Sequence, residues 1–139
     1  MIDIDNQTTY TIKEKFLDSI VCSLSQKDIE LIVTSNGAIQ EINKEYRGID
    51  KATDVLSFPY ENMPMAPLGS IVISIDYVYQ RAMELGHSND DEFTLMFIHG
   101  LLHLLGYDHE CDNGEMRQKE EELIKEFHLP ESLIVRTEA

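Results

Sequence analysis

Three histidines fall close together late in the chain, in the run His99-Gly100-Leu101-Leu102-His103-Leu104-Leu105-Gly106-Tyr107-Asp108-His109. Residues four apart on a helix lie one turn above another on the same face, so His99 and His103 can present two imidazoles to one ion. Gly106 stands where a helix needs a residue tolerant of positive φ in order to end and reverse, and that reversal can return His109 to the same ion. Neutral imidazole suits zinc, and three protein ligands leave a fourth position for water. Zinc lowers the pKa of such a water to about 7 and polarises a carbonyl or phosphoryl oxygen. The expectation is a hydrolase that uses one zinc ion, held by His99, His103 and His109.

Other readings of these residues are distinguishable. A single histidine on a buried helix is usually a satisfied core residue, but three of the chain's five at chelating spacing are hard to explain in that way. Cys111, two residues past His109, could close the shell and make the zinc structural. His87, after Gly86, and His128 both stand at helix ends, where they read as solvent-facing or as complementing a helix dipole. The spacing His-x3-His-x5-His equals that of the metzincin zinc proteases. Those proteases place a general-base Glu directly after the first His, and here that position is Gly100. Without the carboxylate, a peptidase has no evident group to take a proton from water and pass it to the leaving amine. Phosphodiester cleavage depends more on the metal and on cations that neutralise phosphate charge. Arg47, in Tyr46-Arg47-Gly48, offers a planar fork matched to phosphate oxygens.

The elements that must position these groups can be read from periodicity. Ile2 to Asp5 alternates like a strand, and Tyr10 to Leu24 carries apolar residues at helical intervals. Ile29 to Thr34 is β-branched and reads as a strand that ends at Asn36-Gly37. A short helix from Ala38 to Tyr46 stops near Gly48. Strands follow at Asp54 to Phe58 and Gly69 to Ser74, joined by an irregular loop holding Pro59, Pro64 and Pro67. Asp76 to Leu85 is a helix closed by Gly86. Ser88-Asn89-Asp90-Asp91 starts the next helix, which runs to about Leu105 and is apolar all round, so it should be central and buried. Asp112 can cap a last helix that ends before Pro130. The expected fold is α+β: a single domain over residues 1–139, with a small mixed sheet of about four strands packed with helices.

Composition bounds the partners. With 139 residues, 42% of them apolar, the chain suits one compact domain with a real core. Eleven basic against 26 acidic residues give a net charge of −15, which argues against broad adhesion to nucleic acid or anionic membrane. Between Lys51 and Arg117 the only basic residue is Arg81, so Lys44, Arg47 and Lys51 form the clearest positive cluster in the middle of the chain. Contact with any nucleic acid would be confined to a narrow electropositive groove formed by the metal with Lys44, Arg47 and Lys51. Two distant cysteines, Cys22 and Cys111, suggest a reducing compartment, and the acidic N-terminus lacks the features of a signal peptide. A cytoplasmic protein is expected.

The run from His99 to His109 resembles the signature of the YbeY family, bacterial metallo-endoribonucleases of ribosomal RNA maturation. The block Asn43-Lys44-Glu45-Tyr46-Arg47-Gly48-Ile49-Asp50-Lys51-Ala52-Thr53-Asp54-Val55-Leu56-Ser57-Phe58-Pro59 resembles that family's second hallmark, and Leu68-Gly69-Ser70-Ile71-Val72-Ile73 its Leu-Gly-Asp-Ile strand. The resemblance spans essentially 1–139. It implies a single α+β domain, zinc on His99, His103 and His109, and a functional Arg47 beside the metal. It also implies a single-strand-specific endoribonuclease acting near the 3′ end of small-subunit ribosomal RNA and in ribosome quality control. One departure is Ser70, where the family usually has Asp. If that Asp supports the metal, Asp54 or Asp108 could orient a ligating imidazole in its place, since such a ring normally donates its second N–H to an oxygen.

Overall fold

The computed structural model describes residues 1–60, 66–108 and 111–130. Pro64 and His109 lie outside the described residues. The elements run β1 (Ile2–Asn6), α1 (Glu14–Leu24), β2 (Ile29–Thr34), α2 (Asn36–Arg47), β3 (Val55–Pro59), β4 (Gly69–Ser74), α3 (Ile75–Leu85), α4 (Asn89–Leu104) and α5 (Glu115–Glu126). The four strands form one mixed sheet in the order β1-β2-β4-β3, with β1, β2 and β4 parallel and β3 antiparallel to β4. The α+β architecture with four strands is the one expected from the sequence.

The sheet's two faces follow from the alternation of its strands. Leu31 pairs with Ile71 and Val33 with Ile73, and these side chains enter the main core with α1, α3 and α4. Their neighbours Ile32, Val72 and Leu56 point the other way and pack under Ile39 and Ile42 of α2. All six residues of β4 are buried, as befits a strand paired on both sides and covered on both faces. β3 is one of the two edge strands, and the site lies along it.

Several element ends differ from the sequence expectation, most by one residue and three in a way that has a physical cause. α1 begins at Glu14, not Tyr10, and Tyr10 and Ile12 pack against the core from the non-helical segment before it. α2 begins at Asn36, since Ser35 Oγ accepts the Ala38 N–H and caps a helix that takes in the Asn-Gly pair. Asp112 does serve α5, accepting from the N–H groups of Gly114 and Met116, but the N-cap position itself is Gly114 at φ 100°. His87 also differs. The left-handed turn at Gly86 folds the chain back, and the His87 side chain is buried with its Nδ1 3.1 Å from Oε2 of the wholly buried Glu92. It therefore does not face solvent. His128 is exposed, as expected.

Candidate metal centre

α4 is buried on nearly every side because its residues are apolar on nearly every side. From Glu92 to Leu104 the only residues that reach solvent are His99 and His103. They line a cleft of about 490 Å³ together with Arg47, Asp54, Val55, Ser57, Pro59, Gly106, Tyr107 and Asp108. An otherwise closed helix thus opens to water at the two imidazoles.

Each ring is held from behind. Nδ1 of His99 lies 3.0 Å from Oε1 of Glu120, and Nδ1 of His103 lies 3.0 Å from the carbonyl oxygen of Tyr107. A carboxylate and a carbonyl only accept, so in the neutral rings both Nδ1 atoms carry the proton. Both Nε2 lone pairs then turn towards the cleft, and the two Nε2 atoms are 3.2 Å apart. Two nitrogens bound tetrahedrally at about 2.0–2.1 Å from a zinc ion would sit about 3.3 Å apart. The spacing therefore fits a shared cation, whereas two lone pairs facing each other alone repel.

The end of α4 supplies part of this arrangement. Gly106 takes φ 97°, its N–H bonds to His103 O, and the Tyr107 N–H returns to Leu102 O. The reversal brings the Tyr107 carbonyl behind the His103 ring. The carboxylate behind His99 is Glu120 on α5, not Asp54 or Asp108. Asp54 Oδ1 instead accepts the Val55 N–H at 2.8 Å. Glu120 had a legible signal: it falls four residues after Met116 and shortly before Leu123 and Ile124, an acid on an apolar stripe. Ser70 serves neither ring. It is buried on β4 opposite Phe58, on the α2 side of the sheet.

Arg47 reaches the same cleft from the last turn of α2. Its guanidinium donates to the Ser57 carbonyl of β3 at 3.1 Å and rests over the Phe58 ring, 5.8 Å from its centroid. It is the one cation among the described residues lining the cleft, beside Asp54 and Asp108. Lys44 and Lys51 are exposed near the same helix end. Cys111 is exposed and is not among the described residues lining the cleft.

Gly100 faces the sheet. A Cβ there would meet Ile71 Cγ2 at 3.0 Å, Val55 Cγ2 at 3.1 Å and Ser57 Oγ at 3.2 Å. Ser57 Oγ also donates to the Gly100 carbonyl at 3.0 Å. A glutamate at that position would have to push these side chains of β3 and β4 aside.

A small α+β domain whose buried helix exposes two convergent imidazoles in a cleft shared with an arginine is an arrangement suited to hydrolysis. Comparison with known proteins narrows this. The model of the endoribonuclease YbeY family matches residues 2–128. Proteins named endoribonuclease YbeY from Nautilia profundicola and Sulfurimonas denitrificans are 62% and 59% identical over 138 residues, each alignment covering 99% of both chains. The solution structure of TM1509 from Thermotoga maritima superposes with a TM-score of 0.65 at 30% identity, covering 91% of this chain and 89% of the other. The chain belongs to the endoribonuclease YbeY family. No helix among the described residues is long and apolar enough to cross a membrane.

Proposed function

We propose that this chain is a zinc-dependent, single-strand-specific endoribonuclease, with His99, His103 and His109 holding one ion and Arg47 engaging the scissile phosphate. The observation that carries the metal assignment is the 3.2 Å approach of the His99 and His103 Nε2 atoms, each ring tethered through Nδ1. When bound, zinc would supply a Lewis acid and lower the pKa of a coordinated water. The chain's own residues do the rest. Glu120 and the Tyr107 carbonyl fix the ring orientations and aim both Nε2 atoms into the cleft. Arg47, held by Ser57 O and Phe58, offers its remaining N–H donors to phosphate oxygens. Asp54 and Asp108 bring carboxylates to the cleft that can accept a proton.

Family membership supports RNA as substrate, and the resemblance extends this to the 3′ end of small-subunit ribosomal RNA, to ribosome quality control and to a cytoplasmic setting, with residues 1–139 acting as one domain. The peptidase reading is opposed by Gly100, which stands where the general-base glutamate would be and is packed closely against β3 and β4. The structural-zinc reading is opposed by the exposed position of Cys111 outside the described cleft lining.

The deciding experiment compares cleavage of single-stranded RNA by zinc-loaded and chelated protein, with metal analysis of two variants. His103→Ala should lose most of its zinc and its cleavage, while Cys111→Ser should keep both. Full zinc occupancy in His103→Ala would overturn the ligand assignment. Loss of metal in Cys111→Ser would favour a structural site.

A further inference from the structure

Beyond the cleft, the end of α2 carries an aromatic surface that the chemistry above does not use. Tyr46 is 68% exposed, among the most exposed large apolar side chains of the protein. Its ring is nonetheless held: it stands edge-on to Phe58, with centroids 5.7 Å apart and planes at 64°. Phe58 in turn carries the Arg47 guanidinium that enters the cleft. One ring therefore ties together the exposed tyrosine and the arginine of the site. Lys44 lies in the same last turn of α2, and Gly48 at φ 71° ends the helix beyond them.

An exposed aromatic ring in solvent has a cost in apolar hydration that a folded protein usually avoids, and an ordered one has already lost much of its rotational freedom. Both features suit a flat, hydrophobic ligand with an adjacent negative charge. A nucleobase of a single strand, with its phosphate beside Lys44 and Arg47, has that chemistry. Unstacked bases are bound on aromatic faces, and the stacking tolerates any base because each has a π-face. A duplex keeps its bases stacked on one another and offers no face to Tyr46, so the same contact would favour single strands.

We infer that Tyr46 is a stacking platform for a nucleobase of the single-stranded RNA next to the phosphate engaged by Arg47. This rests on the nuclease reading. The platform makes substrate positioning depend on a residue that touches the base and not the reacting phosphate. The loss should therefore fall on KM and little on kcat.

The chain has no tryptophan, so Tyr46→Trp introduces a single fluorescent reporter at the platform. Met83→Trp places the same reporter on α3 at a highly exposed position outside the cleft lining. Titration with a single-stranded oligoribonucleotide should quench Tyr46→Trp, and a phosphate-matched strand with an abasic position at the contacted site should not. Met83→Trp should not respond to either. In steady-state cleavage, Tyr46→Ala should raise KM about tenfold or more with little change in kcat, and Tyr46→Phe should restore it. Binding of the oligonucleotide, followed by the anisotropy of a labelled strand, separates the outcomes. If the strand binds Tyr46→Trp without quenching it, or if abasic and normal strands quench equally, the platform is wrong although the nuclease reading stands. If wild type neither binds nor cleaves RNA, the nuclease reading fails and the platform falls with it.

Discussion

Glu120 Oε1 lies 3.0 Å from His99 Nδ1, so α5 reaches back to hold a ring on α4. The carboxylate is nearly buried, and its charge is spent on one N–H. Such a partner fixes the tautomer and raises the basicity of the other nitrogen. Glu120→Ala should weaken zinc binding by roughly ten- to a hundredfold, measured by competition with a chromophoric chelator. Glu120→Gln keeps an acceptor oxygen without the charge and should fall between. Equal affinity in all three proteins would show that His99 needs no tether.

Gly100 makes a different kind of test, because its role is space. A Cβ would press on two methyl groups and Ser57 Oγ at 3.0–3.2 Å, and overpacking of this kind costs about 1–3 kcal/mol. The helix propensity gained on replacing Gly by Ala offsets up to about 1 kcal/mol of it. Gly100→Ala should therefore lower Tm modestly. Gly100→Glu would add a carboxylate facing Val55 and Ile71, and should abolish folding or give insoluble protein, with no gain of peptidase activity. A well-folded Gly100→Glu variant that cleaves unstructured peptides would reverse the choice between peptidase and nuclease.

The pairing of His99 with His103 was legible because it rests on local rules, whereas the place of Arg47 in the same cleft came only from the family resemblance. Spacing of four on an apolar helix sets His99 above His103, and a glycine after the last turn marks the reversal. The four strands and five helices were legible for the same reason, from periods of two and about 3.6. What was not legible was long-range. Glu120 is 21 residues from His99, and nothing nearby pairs them; only its place on α5's apolar stripe hints that it turns inward. His87 reads as a surface residue until Gly86 folds it onto Glu92. The start of α1 was not legible because Tyr10 and Ile12 obey the helical period while packing on the core outside the helix.

Asp90 gives a dependence on pH away from the histidine cleft. The Tyr10 hydroxyl donates to its carboxylate, burial opposes ionisation, and Lys13 at 3.1 Å favours it; together they hold the carboxyl below its ordinary 3.8. A folded pKa below the unfolded one stabilises the fold fully above the unfolded value, and that contribution is lost as pH falls through the folded value. Wild type should therefore lose denaturant resistance as the pH drops below about 4, in part through Asp90. Asp90→Asn should begin less stable near neutrality and lose less over the same interval, read from urea midpoints along a pH series. Parallel curves for the two proteins would show that the pair contributes nothing to acid sensitivity.

Arg47 brings the argument to the reaction itself. It ends α2, where Gly48 turns the chain at φ 71°, and it crosses to the edge strand β3, donating to Ser57 O at 3.1 Å and covering Phe58. A guanidinium has five N–H donors in a rigid fork, so one bond to a carbonyl positions the group without using up its capacity for phosphate. In a chain with net charge −15, a single cation in this cleft has no neighbouring substitute within the described lining. Removing one such donor from developing negative charge typically costs about a hundredfold or more in rate. Arg47→Ala should show a loss of that order in kcat/KM on single-stranded RNA, with zinc content unchanged and Tm little altered. Arg47→Lys should recover only part, because an ammonium reaches phosphate as a point charge and lacks the fork. Wild-type cleavage by the alanine variant would remove Arg47 from the reaction and leave phosphate neutralisation to the metal alone.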